Sequence, residues 1–238
     1  QLAMALSKIT TESLLDGEVT DAKISALAAS KLSGTIATAR LGSGTASSST
    51  FLRGDQTYAA AGGGLTLITS TTPSAAATVS FTAFDSSSYD SYFFTFENVA
   101  GADGQRFQWQ TSTDGGSSYD GGASDYDHAS TFTVTSSNGT GGDLADTHID
   151  PLVGNADLGG LTTEGITGSM RMFSPDLALN TRMTWQFVMF ETNGVMKTVY
   201  GGGQRAAASN VDAIRFSLSG GGNFVAQGRI NFYGITNS

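Results

Sequence analysis

The sequence predicts an all-β protein whose larger part is an antiparallel β-sandwich, with a jelly-roll-like arrangement preferred. Three observations predict it. Several short segments alternate apolar and polar residues, as where Phe107 and Trp109 share one face and Gln108 and Gln110 the other. The connections are rich in Gly, Ser and Asp, with 31 Gly but only 3 Pro in 238 residues. No segment after residue 60 has a convincing helical pattern.

About eight to ten strands are expected after residue 64. Asn193 and Gly194 predict a two-residue hairpin turn of the primed type. Two Gly-, Ser- and Asp-rich stretches, residues 114–128 and 136–165, are interpreted as long connections. The candidate strands are residues 65–68, 78–81, 91–96, 105–111, 169–173, 183–191, 195–200, 214–218 and 224–235.

The first 60 residues differ in composition from the rest. Residues 7–41 contain no aromatic residue and repeat a short motif of a cation, an aliphatic residue and a small residue, at Lys8, Lys23, Lys31 and Arg40. Each repeat offers too little apolar surface for a core within one chain, whereas three chains wound together could bury it. A short helix after Asp21 is compatible with this segment, and a disordered polar leader is the alternative.

These features predict a shaft or attachment segment at residues 1–60 with a joint at 42–58, a Gly hinge at 61–64 and a β-sandwich head at 65–238. The joint contains Arg53-Gly54-Asp55, a tripeptide known from integrin ligands, but a turn in which Asp55 accepts backbone amides is the preferred interpretation. The residues expected at a trimer axis or in the joint are Ile24, Leu32, Leu41, Phe51, Leu52 and Tyr58.

The composition argues against several partners and cofactors. A net charge of −9 and a pI near 4.5 disfavour nucleic acid, which requires clustered Lys and Arg. The longest apolar runs are far shorter than a membrane span, so no membrane insertion is expected. Without Cys, and with only His128 and His148 twenty positions apart, we predict neither a disulfide nor a zinc site.

No pattern predicts an enzyme, a catalytic residue or a cofactor. A Gly-x-Ser-x-Gly elbow is absent from the sequence. Residues 201–206 match a degenerate dinucleotide pattern, but the following segment is too short and polar for the required helix, so they are interpreted as a loop. Five acidic residues could serve a glycosidase, yet nothing in the pattern pairs them: Asp143, Asp146, Asp150, Asp157 and Glu164.

Residues 119–128, YDGGASDYDH, are the best candidate for receptor contact. Aromatic rings stack on sugars, neighbouring carboxylates accept hydrogen bonds from hydroxyl groups, and a loop presents both at the end of a sandwich. The alternatives are ordinary loop residues, a turn capped by Asp127 and His128, or a calcium loop, although the spacing does not fit an EF-hand. The candidate residues are Tyr119, Asp120, Asp125, Tyr126, Asp127 and His128.

Several motifs resemble tailed-bacteriophage fibre proteins. The stalk repeats and joint of that family are similar to DGEVTDAK at residues 16–23, ASKLSGTIATARL at 29–41 and GTASSSTFLRGD at 44–55. The family usually continues the last motif with Gly-Thr-Trp, where this chain has Gln56-Thr57-Tyr58. A looser resemblance to the distal β-sandwich of phage fibres covers YDSY at 89–92, TSTDGGSSY at 111–119 and GRINFYGI at 228–235.

The resemblance implies a homotrimeric structural protein of the virion. Its N-terminal segment would attach to other virion proteins of the tail, baseplate or capsid, and its head would bind a host-surface glycan or protein. Two alternatives stay open: a capsid-attached head fibre or decoration protein without a receptor role, and a small polysaccharide hydrolase tip.

Overall fold

The computed structural model describes residues 34–60, 64–151, 157–161 and 163–236. Within them the regular structure is β-strand, apart from a 3-10 turn at Thr38–Arg40. The predicted all-β class is therefore confirmed. The chain divides into two compact units, Gln1–Ala61 and Gly62–Ser238. The predicted stalk falls mainly on residues 1–33, with Ile24 and Leu32, and these lie outside the described residues.

The described part of the first unit is built on a small hairpin. Strand β1 (Thr50–Leu52) pairs antiparallel with β2 (Tyr58–Ala60). Ser43 lies beside the hairpin, because its amide donates to the Gln56 carbonyl at 2.9 Å and its carbonyl accepts from the Tyr58 amide at 2.7 Å. Residues 42–58 thus form one local structure in which the chain passes back along its own hairpin.

The Arg53-Gly54-Asp55 tripeptide occupies the turn of this hairpin. One oxygen of Asp55 accepts the Thr57 amide at 3.0 Å and the Thr57 hydroxyl at 2.6 Å. These bonds, the hydroxyl one foremost, lower the pKa of Asp55. The prediction that Asp55 satisfies a turn amide is confirmed.

The second unit contains eleven strands in two sheets, and every strand pair is antiparallel. The strands are β3 (Leu65–Thr71), β4 (Thr78–Phe81), β5 (Ser91–Val99), β6 (Phe107–Ser112), β7 (Tyr126–Val134), β8 (Ser137–Asp146), β9 (Gly165–Phe173), β10 (Arg182–Phe190), β11 (Met196–Arg205), β12 (Ala213–Leu218) and β13 (Arg229–Ile235). One sheet has eight strands in the order β3-β13-β5-β9-β10-β11-β7-β8, and the other has three in the order β4-β12-β6. This architecture fits an antiparallel β-sandwich.

Aromatic side chains fill the space between the two sheets. Phe216 of β12 stacks on Phe107 at 5.5 Å between ring centroids, and Phe94 stacks on Phe232 at 4.7 Å. The predicted alternation of β6 and β10 is confirmed, since Trp109 of β6 and one face of β10 point into this core. The buried residues of β10 are Met183, Trp185, Phe187 and Met189. Burial of such large rings is the main favourable contribution to folding.

The hairpin between β10 and β11 differs from the predicted two-residue turn. Glu191 donates its amide to the Val195 carbonyl at 3.0 Å, and Gly194 donates to the Glu191 carbonyl at 2.8 Å, so three residues form the loop. A primed turn needs left-handed φ at its first central residue, which would be Asn193, but in this loop only Gly194, at +76°, has it. The loop is therefore a tight turn followed by a left-handed glycine.

Parts of three segments interpreted as loops are strands, since β7 begins within the predicted connection at residues 114–128. β8 covers part of the predicted connection at residues 136–165, and β11 includes residues 201–205. The composition of these segments led to the wrong prediction of loops, because Gly, Asn and Asp have low β propensity. β8 is an edge strand that pairs only with β7, and β11 lies between β10 and β7. Backbone pairing with a neighbour holds these glycines in a strand.

Candidate functional site

The predicted receptor loop is held by contacts within the protein. The Tyr119 ring lies under the Arg215 guanidinium, with 4.3 Å between the Arg215 Cζ and the ring centroid. Asp120 accepts the Nε–H of Arg205 at 2.6 Å, and this bond is the main reason that the pKa of Arg205 is raised. These contacts tie the loop to β12 and to the end of β11.

Tyr126 and Asp125 also serve the fold. The Tyr126 ring is fully buried, and its hydroxyl accepts the Thr111 amide at 2.7 Å. Burial raises the pKa of Tyr126 to about 12. Asp125 accepts the Gly122 amide at 2.6 Å. Tyr126 therefore has no surface available for a receptor, which corrects its place among the candidate contact residues.

Asp127 and His128 are consecutive in β7, so they point to opposite faces of the eight-stranded sheet. Asp127 accepts the Gln204 side-chain amide at 2.9 Å and the Ala145 backbone amide at 3.1 Å, and these bonds lower its pKa. His128 points inward and is buried, which lowers its pKa. Its Nδ1 has no hydrogen-bond partner within the described residues. Of this pair, Asp127 faces the outside.

A shallow trough lies on the same outer face, across β11, β7 and β8. Its floor is the cross-strand row of Gly202, Ala129 and Gly142, which carries almost no side-chain atoms. Two adjoining depressions of about 510 and 290 Å³ form it, and they share Ala129 and Leu144. The larger volume is within the range of ligand pockets, about 300–1,000 Å³. We call this feature the trough.

The walls of the trough are the two neighbouring rows of the sheet. One wall is the row of Tyr200, Thr131 and Thr140, and Tyr200 is 54% exposed. The opposite wall carries Arg182, Gln204 and Asp127, which are also cross-strand neighbours, together with Leu144. Residues two apart in a strand share a face, so floor and walls all face outward. An aromatic ring thus stands opposite a carboxylate, an amide and a guanidinium.

The glycines of the trough have different roles. A Cβ on Gly142 would clash with the carbonyl oxygen of His128, and one on Gly201 would lie 2.5 Å from the Trp185 ring. Gly202 is different, because a Cβ there would meet only the Met183 carbonyl oxygen at 3.4 Å, an ordinary contact. Packing therefore requires Gly142 and Gly201, whereas among the described residues no other atom lies within 4 Å of the position that a Cβ on Gly202 would take.

The wall that contains Tyr200 continues across the whole sheet as an uncharged row. Asn231 binds its neighbours in this row, donating to Thr95 Oγ1 at 2.9 Å and accepting from Ser70 Oγ at 2.7 Å. The row takes one residue from each strand, in the order Ser70, Asn231, Thr95, Ser169, Gln186, Tyr200, Thr131 and Thr140. The outer face at this level offers hydroxyl and amide groups without charge.

A second, charged cleft of about 340 Å³ lies near β8. Arg106 pairs with Asp150 at 2.8 Å, and His148 lies 3.6 Å from Asp146. Asp143 and His128 also line the cleft. Three of the acids considered for a glycosidase thus gather here, but within the described part of the chain no group of three or more His, Asp or Glu is arranged to hold a metal ion.

The joint residues within the described range are largely at the surface. Leu41, Phe51 and Leu52 are exposed, with Phe51 at 50%, and Tyr58 is partly buried. Phe51 and Leu52 are consecutive in β1, so they point to opposite faces of the hairpin. Both faces of this hairpin therefore carry an uncovered apolar side chain.

Of the residues that line the trough, the sequence prediction of the contact surface includes Asp127. It does not include four others: Tyr200, Gly202, Gln204 and Arg182. The sequence of β11 contains a pattern that predicts the orientation of the first three. Lys197 and Val199 before the glycines and Arg205 after them are all buried, and their spacing is a multiple of two residues. Extending that period would have placed residues 200, 202 and 204 together on the outer face. Asp127 and Ala129 join these residues because β7 pairs with β11. A single sequence does not reveal that pairing.

In the described residues, no helix has the length and hydrophobicity to cross a membrane.

The known proteins give no further assignment. Comparison of the chain with protein-family models, curated proteins and solved structures finds no match. The function is therefore argued from the chain's own residues.

Proposed function

We propose that this protein is a homotrimeric structural fibre protein of a tailed bacteriophage. In this proposal residues 1–60 form the shaft and attach to other virion proteins, and the second unit is a head exposed on the virion that binds a host-surface glycan or protein. The role is adhesive and structural, without catalysis or a cofactor. The motif resemblance at residues 16–55 is the sequence support for it.

The observation that carries the proposal is the uncovered hairpin of the joint. Phe51 and Leu52 are 50% and 42% exposed on opposite faces, and an isolated two-stranded hairpin is only marginally stable in water. Apolar side chains on both faces need cover from outside the hairpin. Further copies of the chain around a threefold axis would supply that cover, as the resemblance implies.

The topology of the head supports a jelly-roll-like arrangement. Strands β3 to β6 alternate between the two sheets. The last strands return between them, because β12 lies between β4 and β6, and β13 between β3 and β5. This interleaving of early and late strands is typical of jelly rolls. Strands β9, β10, β11, β7 and β8 then extend one sheet beyond the other.

Adhesion gains from three linked heads. Linked sites can raise overall avidity by roughly 10² to 10⁴ without a new contact in any one site. The net charge of −9 on each chain disfavours a strongly anionic receptor. A host-surface partner with little charge is therefore favoured.

Sedimentation equilibrium of the purified full chain tests the assembly. The expected mass is three times the chain mass of 24.5 kDa. Replacing Phe51 and Leu52 together by Ser should weaken the trimer, whereas replacing the exposed Leu161 of the head by Ser should leave it intact. A monomer at every concentration would contradict the proposal.

Adsorption to bacterial cells tests the adhesive role. Fluorescently labelled wild-type protein, incubated with a panel of bacterial strains, should bind at least one strain and compete there with phage adsorption. Binding to no strain in a panel that supports infection would remove the receptor role and leave a purely structural one.

A further inference from the structure

We infer that the trough binds an uncharged saccharide, with one sugar ring stacked on Tyr200 and its hydroxyl groups held by the opposite wall. This inference rests on the proposed function and names the class of ligand for it. Four features of the trough support it: the exposure of Tyr200, the polar groups on the opposite wall, the bare floor between them and the local charge.

Tyr200 supplies the stacking surface. More than half of the residue is exposed, although it belongs to an interior strand of a paired sheet. Its neighbours in the row, Gln186 and Thr131, are polar and leave the ring uncovered. A sugar presents its C–H groups to such a ring, which combines an apolar face with a polar hydroxyl tip.

The opposite wall supplies directional hydrogen bonds. Asp127 already accepts two hydrogen bonds, from Gln204 and Ala145, and these fix the position of its carboxylate. A carboxylate has about four acceptor sites, so it can accept sugar hydroxyls in addition. Arg182 is exposed and offers donors beside it. The wall therefore contains a fixed acceptor and neighbouring donors, the combination that recognises vicinal hydroxyl groups.

The floor allows a ring to approach the backbone. Gly202, Ala129 and Gly142 are adjacent in three strands and together contribute a single methyl group. Glycine permits the close approach of a ligand to the backbone. Since packing does not require glycine at position 202, the empty space above it is available to a ligand.

Charge selects against acidic ligands. Arg182 is the cation that lines the trough, and Asp127 and Asp143 are the anions. An anionic sugar would meet two carboxylates near one guanidinium, on a chain of net charge −9. A neutral hexose or N-acetylhexosamine meets no such repulsion.

The test is binding of the full-length wild-type chain to an array of immobilised oligosaccharides. The array carries neutral oligomers of hexoses and N-acetylhexosamines, and matched oligomers containing uronic acid or phosphate. Binding to at least one neutral probe is expected, with weaker binding to its acidic counterpart. The trimer's avidity makes weak contacts measurable on such a surface.

Two variants locate the binding in the trough. Tyr200→Thr keeps β propensity but removes the ring, and should lower affinity about tenfold, while Tyr200→Phe should bind nearly as wild type. Gly202→Leu fills the floor without a backbone clash and should lower affinity more than about tenfold. Tyr233→Thr is the matched control, since Tyr233 lies on the same face four strands away and is partly exposed.

The outcomes separate this inference from the proposed function. Unchanged binding in both Tyr200→Thr and Gly202→Leu, or a preference for acidic probes, overturns the inference. A wild-type chain that adsorbs to bacterial cells but binds no neutral probe overturns the saccharide class and leaves the adhesive function intact. Failure to bind any cell contradicts the proposed function itself. Circular dichroism of each variant shows whether it is folded.

Discussion

The two ends of the eight-stranded sheet are built from opposite kinds of residue. At the end formed by β3, β13 and β5, stacked rings such as Phe94 and Phe232 fill the interior beneath the three-stranded sheet. At the end formed by β11, β7 and β8, glycine and threonine dominate, and the buried pair of Lys197 and Glu191, 2.5 Å apart, lies on the inner side. We conclude that the aromatic end supplies stability, while the glycine end supplies a shaped surface.

The largest effect is expected from truncating a ring of β12 that packs against the aromatic end. Phe216→Ala removes a ring that contacts those of Phe81, Phe94, Phe96, Phe107 and Trp109. The free energy of unfolding should fall by about 3–5 kcal/mol, measured by urea denaturation followed through tryptophan fluorescence. Phe190→Ala, at a side chain 38% exposed on the outer face, is the control and should cost under about 1 kcal/mol. Equal losses would remove the distinction between interior and surface.

Residues 119–125, the part of the predicted receptor loop that precedes β7, should affect stability and leave binding unchanged. Asp120→Ala leaves the Arg205 guanidinium, which is 8% exposed, without its 2.6 Å partner. We expect a loss of about 3 kcal/mol in unfolding free energy. Saccharide binding by the folded variant should stay at the wild-type level. A selective loss of binding at full stability would restore this loop as the contact surface.

A smaller effect is expected within the trough floor itself. Gly142→Ala places a methyl group against the His128 carbonyl and should cost about 1–3 kcal/mol. Gly202→Ala meets only an ordinary contact and should change stability by less than about 0.5 kcal/mol. Thermal unfolding of the two single variants makes the comparison. If both were neutral, the glycines would not be needed for packing.

The smallest effect is a pH dependence at the glycine end. Burial is the largest cause of the lowered pKa of His128, and Asp146 and Asp143 oppose it. The folded state therefore binds a proton less readily than the unfolded state, whose pKa is about 6.5, so stability should fall as the pH drops below that value. Urea midpoints between pH 7.5 and 5.5 measure this. This decrease of the urea midpoint with falling pH should disappear in His128→Gln, because the glutamine side chain cannot titrate.

The aromatic end could be predicted from the sequence, and the glycine end could not. Tyr92, Phe94 and Phe96 share one face of a short β-prone run, so their strand follows from the pattern. β8 has almost no large side chain, and its place in the sheet comes only from backbone pairing with β7. A pattern of side chains cannot reveal a strand that lacks them.

The dependence on strand pairing also explains why only part of the candidate site could be predicted from the sequence. Asp127 was predicted because a carboxylate in a Gly-rich segment is visible in sequence. Whether a residue such as Tyr126 or Tyr200 faces inward or outward depends on the strand register, and Tyr126 is buried while Tyr200 is exposed. Assigning the full register requires both partner strands, and one partner of β11, the strand β7, is separated from it by more than sixty residues.

The pairing of β3 with β13 has a practical consequence. Leu65 lies opposite Ile235, and the Gly64 amide donates to the Thr236 hydroxyl at 3.1 Å, so the first and last strands of the head share one edge of the sheet. The trough begins at Arg182 of β10, four strands away from that edge, roughly 20 Å at the usual strand spacing. The head can thus be treated as an exchangeable cassette. Grafting residues 64–236 onto another carrier would need only two neighbouring splice points, both remote from the trough.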